Sequence, residues 1–350
     1  VVTEFRTVQG FEDVWRPAVS HRVRRPQGIL SGLSAARPGA VRARLDRVVS
    51  RAPEVMVKVT GRTRDPVHLR AHLDYISRNG ELPLEASDGA IVSGCRDVRS
   101  LAADWAAEQL CDPTTRQQAP FSHSIILSMP QGTDPTALRD AARAFAADMF
   151  AGSHDYVFAL HTDTPRPHVH LSVCSRGHMG ERLNPKKADL DLWRRAFAQA
   201  LRDRGVEAEA TPRRARGITV KAERTPVRKL QDRHASGRGG MSGVRQAAYR
   251  EAAKAAFQGD SAPRVWERKS LERQVLIRRT YLAQAALLKG SPDPRDRALG
   301  ERVESFVQSM PAPASQRLLL ARELRAANRP MDRTTDPAAG RPGGDRSRAR

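Results

Sequence analysis

Cysteine is nearly missing from this chain. Cys95, Cys111 and Cys174 are the three among 350 residues, an odd number with no Cys-x-x-Cys spacing. That excludes a disulfide framework and a cysteine-built zinc module, and it fits a reducing compartment. Aromatic residues are scarce at 5%. No run of about 18 or more apolar residues occurs and no signal peptide opens the sequence, so the expectation is a soluble, cytoplasmic protein with no membrane span. Acidic residues are also in short supply, with 39 Asp and Glu against 60 Lys and Arg, a formal net charge of +21. So large an excess goes beyond what solubility requires and points to a polyanionic partner.

What is present divides the chain by texture. Residues 1–54 hold ten arginines and no lysine with few apolar clusters, which predicts a flexible or loosely helical arm. From Val55 the pattern becomes that of a folded domain over 55–220. Val55–Val59 reads as a strand, and Asp65-Pro66 opens a helix with the apolar stripe Leu69, Leu73 and Ile76, closed by Asn79-Gly80. A helix is expected from Asp97 to Leu110 and a strand from Phe121 to Met129. That strand sets Ser122, Ser124, Ile126 and Ser128 on one face and His123, Ile125 and Leu127 on the other. Asp134-Pro135 starts another helix, and Asp189 caps one carrying Leu190, Trp193, Phe197 and Leu201. The order of these elements predicts an α+β fold. Beyond it come a basic linker over 221–242, a helical region over 243–328 and a Pro-, Gly- and Arg-rich tail over 329–350 expected to be disordered.

The most informative run is His161-Thr162-Asp163-Thr164-Pro165-Arg166-Pro167-His168-Val169-His170, flanked by Tyr156–Leu160 and Leu171–Val173. It reads as two strands joined by a proline-stiffened turn. Residues two apart on a strand share a face, so His168 and His170 lie side by side while Val169, Leu171 and Val173 face the core. The hairpin returns His161 beside them. Three neutral imidazoles leave coordination positions free for substrate, as catalytic metal sites do. Imidazole ligation suits zinc, manganese, iron, copper or nickel, and the spacing does not choose among them. Asp163 is expected to take the second ring N–H of a ligating histidine.

Tyr75 lies about 120° around its helix from the apolar stripe, with His68 and His72 on the same flank. A phenol is only about one part in a thousand ionised at neutral pH and needs a cation or base to act as a nucleophile. A metal beside it also polarises a phosphodiester. Metal, exposed tyrosine and basic surface together suggest attack on a nucleic-acid phosphate.

Three segments carry a resemblance. Asp74-Tyr75-Ile76-Ser77-Arg78-Asn79-Gly80-Glu81-Leu82-Pro83-Leu84, Ser124-Ile125-Ile126-Leu127-Ser128-Met129-Pro130-Gln131-Gly132-Thr133 and the histidine hairpin resemble the successive motifs of conjugative relaxases, in order, closest to the T-DNA border endonuclease type. Arg213–Thr219 is similar to the segment that follows the catalytic core in that type. The resemblance covers roughly residues 55–220. It implies an antiparallel sheet with flanking helices, the relaxase fold of the His-hydrophobe-His class. It implies that Tyr75 is the nucleophile forming a 5′-phosphotyrosine link and a free 3′-OH, and that His161, His168 and His170 hold a divalent ion (Mg, Mn or Zn). Asp163 matches the acidic catalytic member of the third motif. Arg78, Arg166, Arg213, Arg214 and Arg216 are the candidates for DNA contact, and His123, Ser124 and Ser128 lie on the second motif without an assigned role.

The resemblance further implies single-stranded DNA at a plasmid transfer origin as substrate, with accessory relaxosome proteins and a type IV secretion coupling protein as partners. It also implies export from a bacterial cytoplasm bound to the transferred strand. The long arginine-rich arm before the first strand departs from the type, and no second tyrosine stands close to Tyr75. Other readings are a replication initiator or transposase of the same chemistry, an iron oxygenase using His161-x-Asp163 with a second histidine, and a non-catalytic basic nucleic-acid binder.

Overall fold

The structure is a computed structural model that describes residues 5–16, 39–111, 119–220, 223 and 225–328. In chain order the first elements are α1 (Ala40–Val49), β1 (Met56–Thr63), α2 (Pro66–Ile76), β2 (Leu84–Ala86), β3 (Ile91–Val92) and α3 (Cys95–Cys111). Then come β4 (Ser122–Ser128), α4 (Pro135–Ala146), β5 (Tyr156–His161), β6 (His168–Cys174) and α5 (Lys187–Arg202). The strands form one sheet in the order β1-β4-β6-β5-β2-β3 with every pair antiparallel. The fold is α+β, as the alternation of patterns predicts.

Period-two patterning decides which way each strand faces. Val57, Ile125, Leu127, Val169, Leu171 and Val173 bury one side of the sheet against Leu138 and Phe145 of α4 and Trp193, Phe197 and Leu201 of α5. On the opposite side, Val157, Ala159 and Cys174 pack with Leu69, Leu73 and Ile76 of α2 and Val98, Ala102 and Trp105 of α3. The two helices expected from Asp-Pro starts, α2 and α4, begin where expected. The Asp65 carboxylate accepts the His68 N–H, and the Asp134 carboxylate accepts those of Thr136 and Ala137.

Several expectations need correction. β2 and β3 are unexpected and too short to show periodicity, yet they extend the sheet beyond β5. α5 begins at Lys187, so Asp189 is not the capping residue; it sits in the first turn and accepts the Lys186 N–H at 2.6 Å. The described part of the 1–54 arm is packed. Phe11, Val14, Trp15, Leu45 and Val48 are buried with Ile277, Tyr281, Val303 and Phe306, and the Trp15 indole donates to the Tyr281 hydroxyl at 3.0 Å. Its partners lie more than two hundred residues away in sequence, so local composition could not reveal them.

The chain divides into two compact units, Val1–Ile218 with Ile277–Met310, and Thr219–Leu276 with Pro311–Arg350. Residues expected to form one helical region over 243–328 are thus shared between the units. In full they give α7 (Gly243–Phe257), α8 (Val265–Lys289), α9 (Pro294–Gln308) and α10 (Gln316–Ala327). The expected basic linker holds a helix, α6 (Thr225–Ala235). Within the second unit Arg317 and Glu267 are both buried and paired at 2.8 Å, with the guanidinium also donating to the Asp260 and Ala262 carbonyls. The tail 329–350 lies outside the described residues. Among the described residues no helix is long and apolar enough to cross a membrane.

Candidate active site at the histidine hairpin

Strand register builds the cluster. His161, the last residue of β5, pairs with His168, the first of β6, and Ala159 pairs with His170. All three rings therefore share the α2 side of the sheet, and one nitrogen from each lies within 4.8 Å of the others. Ring centroids stand 5.4 Å apart for His161 and His168, 4.5 Å for His161 and His170, and 5.1 Å for His168 and His170.

The donor set fits a metal ion. His161 Nε2 is 2.8 Å from the Ile76 carbonyl and must be the protonated nitrogen, which leaves Nδ1 with the lone pair. His168 Nδ1 donates in the same way to the Arg166 carbonyl at 3.1 Å and leaves Nε2. Burial lowers the pKa of His161, and burial followed by the neighbouring histidines pushes that of His170 down to about 3. Neutral imidazoles, two of them with the second N–H held by a backbone carbonyl, suit metal ligation.

Tyr75 stands over this cluster. Its ring centroid is 5.6 Å from that of His170 and 6.5 Å from that of His161, and the residue is 55% exposed. The turn after α2 then reverses sharply, with Arg78 at φ 53°, Asn79 at φ 57° and Gly80 at φ 89°. Two successive non-glycine residues in the left-handed region are costly, and such strain concentrates at functional sites. It returns the Arg78 guanidinium to 5.5 Å from the Tyr75 ring, to 3.4 Å from His161 Nδ1 and into an ion pair with Asp163.

Asp163 therefore does not hold a histidine, contrary to expectation. The Ile76 carbonyl does that for His161, and the half-exposed carboxylate takes the guanidinium, its stronger partner. Nor does Asp163 join the ligand cluster, which removes the carboxylate an iron oxygenase would need.

A family model for the nuclease domain of MobA/VirD2-like relaxases matches residues 75–206, a span that runs from this tyrosine through the histidine hairpin. Residues 75–206 are thus similar to the nuclease domain of VirD2-type relaxases. The T-DNA border endonuclease VirD2 of Rhizobium radiobacter is 32% identical over 184 residues, which are 47% of this chain and 43% of that protein. Its counterpart from Rhizobium rhizogenes is 30% identical over 183 residues, 47% and 42% of the two chains. The chain thus matches less than half the length of these relatives. A solved structure titled "Molecular Basis of Vancomycin Resistance Transfer in Staphylococcus aureus" is 13% identical with a TM-score of 0.33, covering 46% of this chain and 99% of that one.

Around the histidine site the other expected residues fall into place unevenly. Arg166 is exposed in the hairpin turn, and Arg213 is exposed as well. Arg216 is engaged internally, 2.8 Å from both the Glu54 carboxylate and the Ala52 carbonyl, and Arg214 donates to the Arg16 carbonyl. Both guanidiniums thus have partners within the chain. Ser128 donates to the Pro167 carbonyl at 3.3 Å and so braces the hairpin. His123 faces away from the triad, buried, with Nδ1 2.9 Å from the Ser175 hydroxyl; burial lowers its pKa to about 4.

The sequence marks His72 as a flank neighbour of Tyr75 and gives it no role in the site. It is half-buried, its Nε2 is 2.9 Å from the Ser124 hydroxyl, and burial lowers its pKa to about 4. Its position one turn before Tyr75 was legible, but its partner Ser124, 52 residues away, was not.

Proposed function

We propose that the chain nicks one strand of DNA at the transfer origin or border of a mobile element and becomes joined to the cut strand. The observation that carries this reading is the placement of Tyr75 at 5.6 Å and 6.5 Å from two members of a three-histidine cluster. Tyr75 Oη attacks the scissile phosphorus and loses its proton, the bond from phosphorus to the 3′ oxygen breaks, and that oxygen takes up a proton. The products are a 5′-phosphotyrosine ester and a free 3′-OH. Because an ester replaces an ester, the step reverses when a 3′-OH returns.

His161, His168 and His170 would hold a divalent ion, magnesium, manganese or zinc, which when bound neutralises charge on the phosphate oxygens. Arg78 adds a fixed positive charge beside the phenol, where the phosphate must sit. Asp163 orients that guanidinium. Arg166 and Arg213 serve as backbone contacts, so affinity should fall steeply with salt while base contacts choose the sequence. Accessory relaxosome proteins and a secretion coupling protein would be the partners, with export bound to the DNA.

The test is covalent trapping. Labelled single strands tiled over the DNA beside its gene are incubated with the full chain and manganese, then run on a denaturing gel. One tile should give a protein–DNA adduct, and Tyr75→Phe should abolish it while retaining binding. An adduct in the Phe variant would refute Tyr75 as nucleophile.

A further inference from the structure

Three residues of the α2 segment tie it to the rest of the site through polar contacts: His72 to Ser124, the Ile76 carbonyl to His161, and Arg78 to Asp163 and His161. The last two involve the triad and its carboxylate neighbour. The first has no part in the chemistry proposed above, although it is a partly buried side-chain bond at the middle of the helix that bears the tyrosine. We infer that His72 is a positioning residue: its hydrogen bond to Ser124 fixes the rotation of α2 and so sets where the Tyr75 hydroxyl stands above the histidine cluster. This rests on the reading of Tyr75 as nucleophile.

The physical need is plain. Leu69, Leu73 and Ile76 attach α2 to the sheet through apolar contact, which is non-directional and tolerates small rotations. Tyr75 is off that stripe, on the flank, and rotation about the helix axis moves it in proportion to its distance from that axis. With an outer radius of about 5 to 6 Å, a turn of only about 10° shifts a flanking group by roughly 1 Å. His72 lies on the same flank, one turn earlier. A hydrogen bond is directional, and this one ends on the central sheet. Ser124 is buried on β4, opposite Ser172 of β6 and Gly61 of β1. The register of β1 shifts between Val59 and Gly61, beside Ser124, and Thr60 donates to the Ser124 carbonyl at 3.3 Å. A bulge of this kind re-aims local groups and is common beside active sites.

The full chain tests this. Single-turnover nicking at saturating DNA, DNA affinity and manganese affinity by titration calorimetry are compared for His72→Ala, His72→Gln, Ser124→Ala and the His72→Ala/Ser124→Ala pair. Misplacing the nucleophile by about 1 Å should slow His72→Ala roughly tenfold to a hundredfold with both affinities unchanged. His72→Gln, which presents a terminal amide where Nε2 stood, should recover much of the rate. Ser124→Ala should match His72→Ala, and the pair should be no slower than either. Should His72→Ala fold poorly, Ser124→Ala and His72→Gln decide the matter.

Three results overturn the inference: an unchanged rate in His72→Ala, additive losses in the pair, or manganese affinity falling together with rate, which would make His72 a ligand. Failure of the underlying reading is separate, because it appears as nicking that survives Tyr75→Phe. Loss in Tyr75→Phe with full activity in His72→Ala defeats the positioning role alone.

Discussion

Arg78 offers a test in which stability and activity move apart. Its backbone is held at φ 53°, which costs a side-chain-bearing residue about 1 to 2 kcal/mol, and glycine would be free of that cost. Glycine adds unfolded-state entropy worth about 0.5 to 1 kcal/mol, so part of the relief is lost. Either Arg78→Gly or Arg78→Ala removes the contact with the Tyr75 ring, worth about 0.5 to 1 kcal/mol at an exposed site. Both also remove the ion pair with Asp163, whose side chains are 35% and 53% exposed, worth between nothing and about 1 kcal/mol.

The glycine variant should accordingly fall within about 1 kcal/mol of the parent, and the alanine variant, which keeps the strain, should be less stable than glycine by a similar amount. In melting temperature these are shifts of a few degrees. Nicking should fall by about a hundredfold in both, because the charge beside the phenol is gone. Urea or thermal unfolding together with the oligonucleotide assay reads both quantities. Parental nicking by either variant would refute the role of the guanidinium, and an alanine variant more stable than glycine would refute the strain.

Three further outcomes are expected. His170→Ala should weaken manganese binding at least about tenfold by calorimetry, and unchanged affinity would remove His170 from the ligand set. His123 is neutral in the fold with a pKa of about 4 against 6.5 when unfolded, so its contribution is intact above pH 6.5 and is lost as pH falls from there towards 4. Stability should drop by about 2 kcal/mol between pH 7 and 5 on this account alone, and His123→Gln should shrink the measured drop by that amount in urea titrations at the two pH values. Gly80→Ala places a Cβ 2.4 Å from backbone atoms of Gly94 and Cys95 at φ 89°, so the variant should lose at least about 2 kcal/mol and melt several degrees lower. A parental melting temperature would contradict that crowding.

What the sequence determined by itself is what local periodicity and chain adjacency encode. The alternation in Ser122–Ser128 and His168–Cys174 assigned the two sheet faces, and Asp-Pro pairs marked the starts of α2 and α4. The histidine hairpin needed only its own ten residues, because a turn between paired strands brings His161 to His168 whatever surrounds it. Tertiary structure alone decided the rest, since the partners are far apart along the chain and nothing local selects them. Arg78 meets Asp163 across 85 positions, His72 meets Ser124 across 52, and Trp15 meets Tyr281 across 266. Arg216, one of many arginines in sequence, meets the Glu54 carboxylate and the Ala52 carbonyl, more than 160 positions away, because packing brings them together.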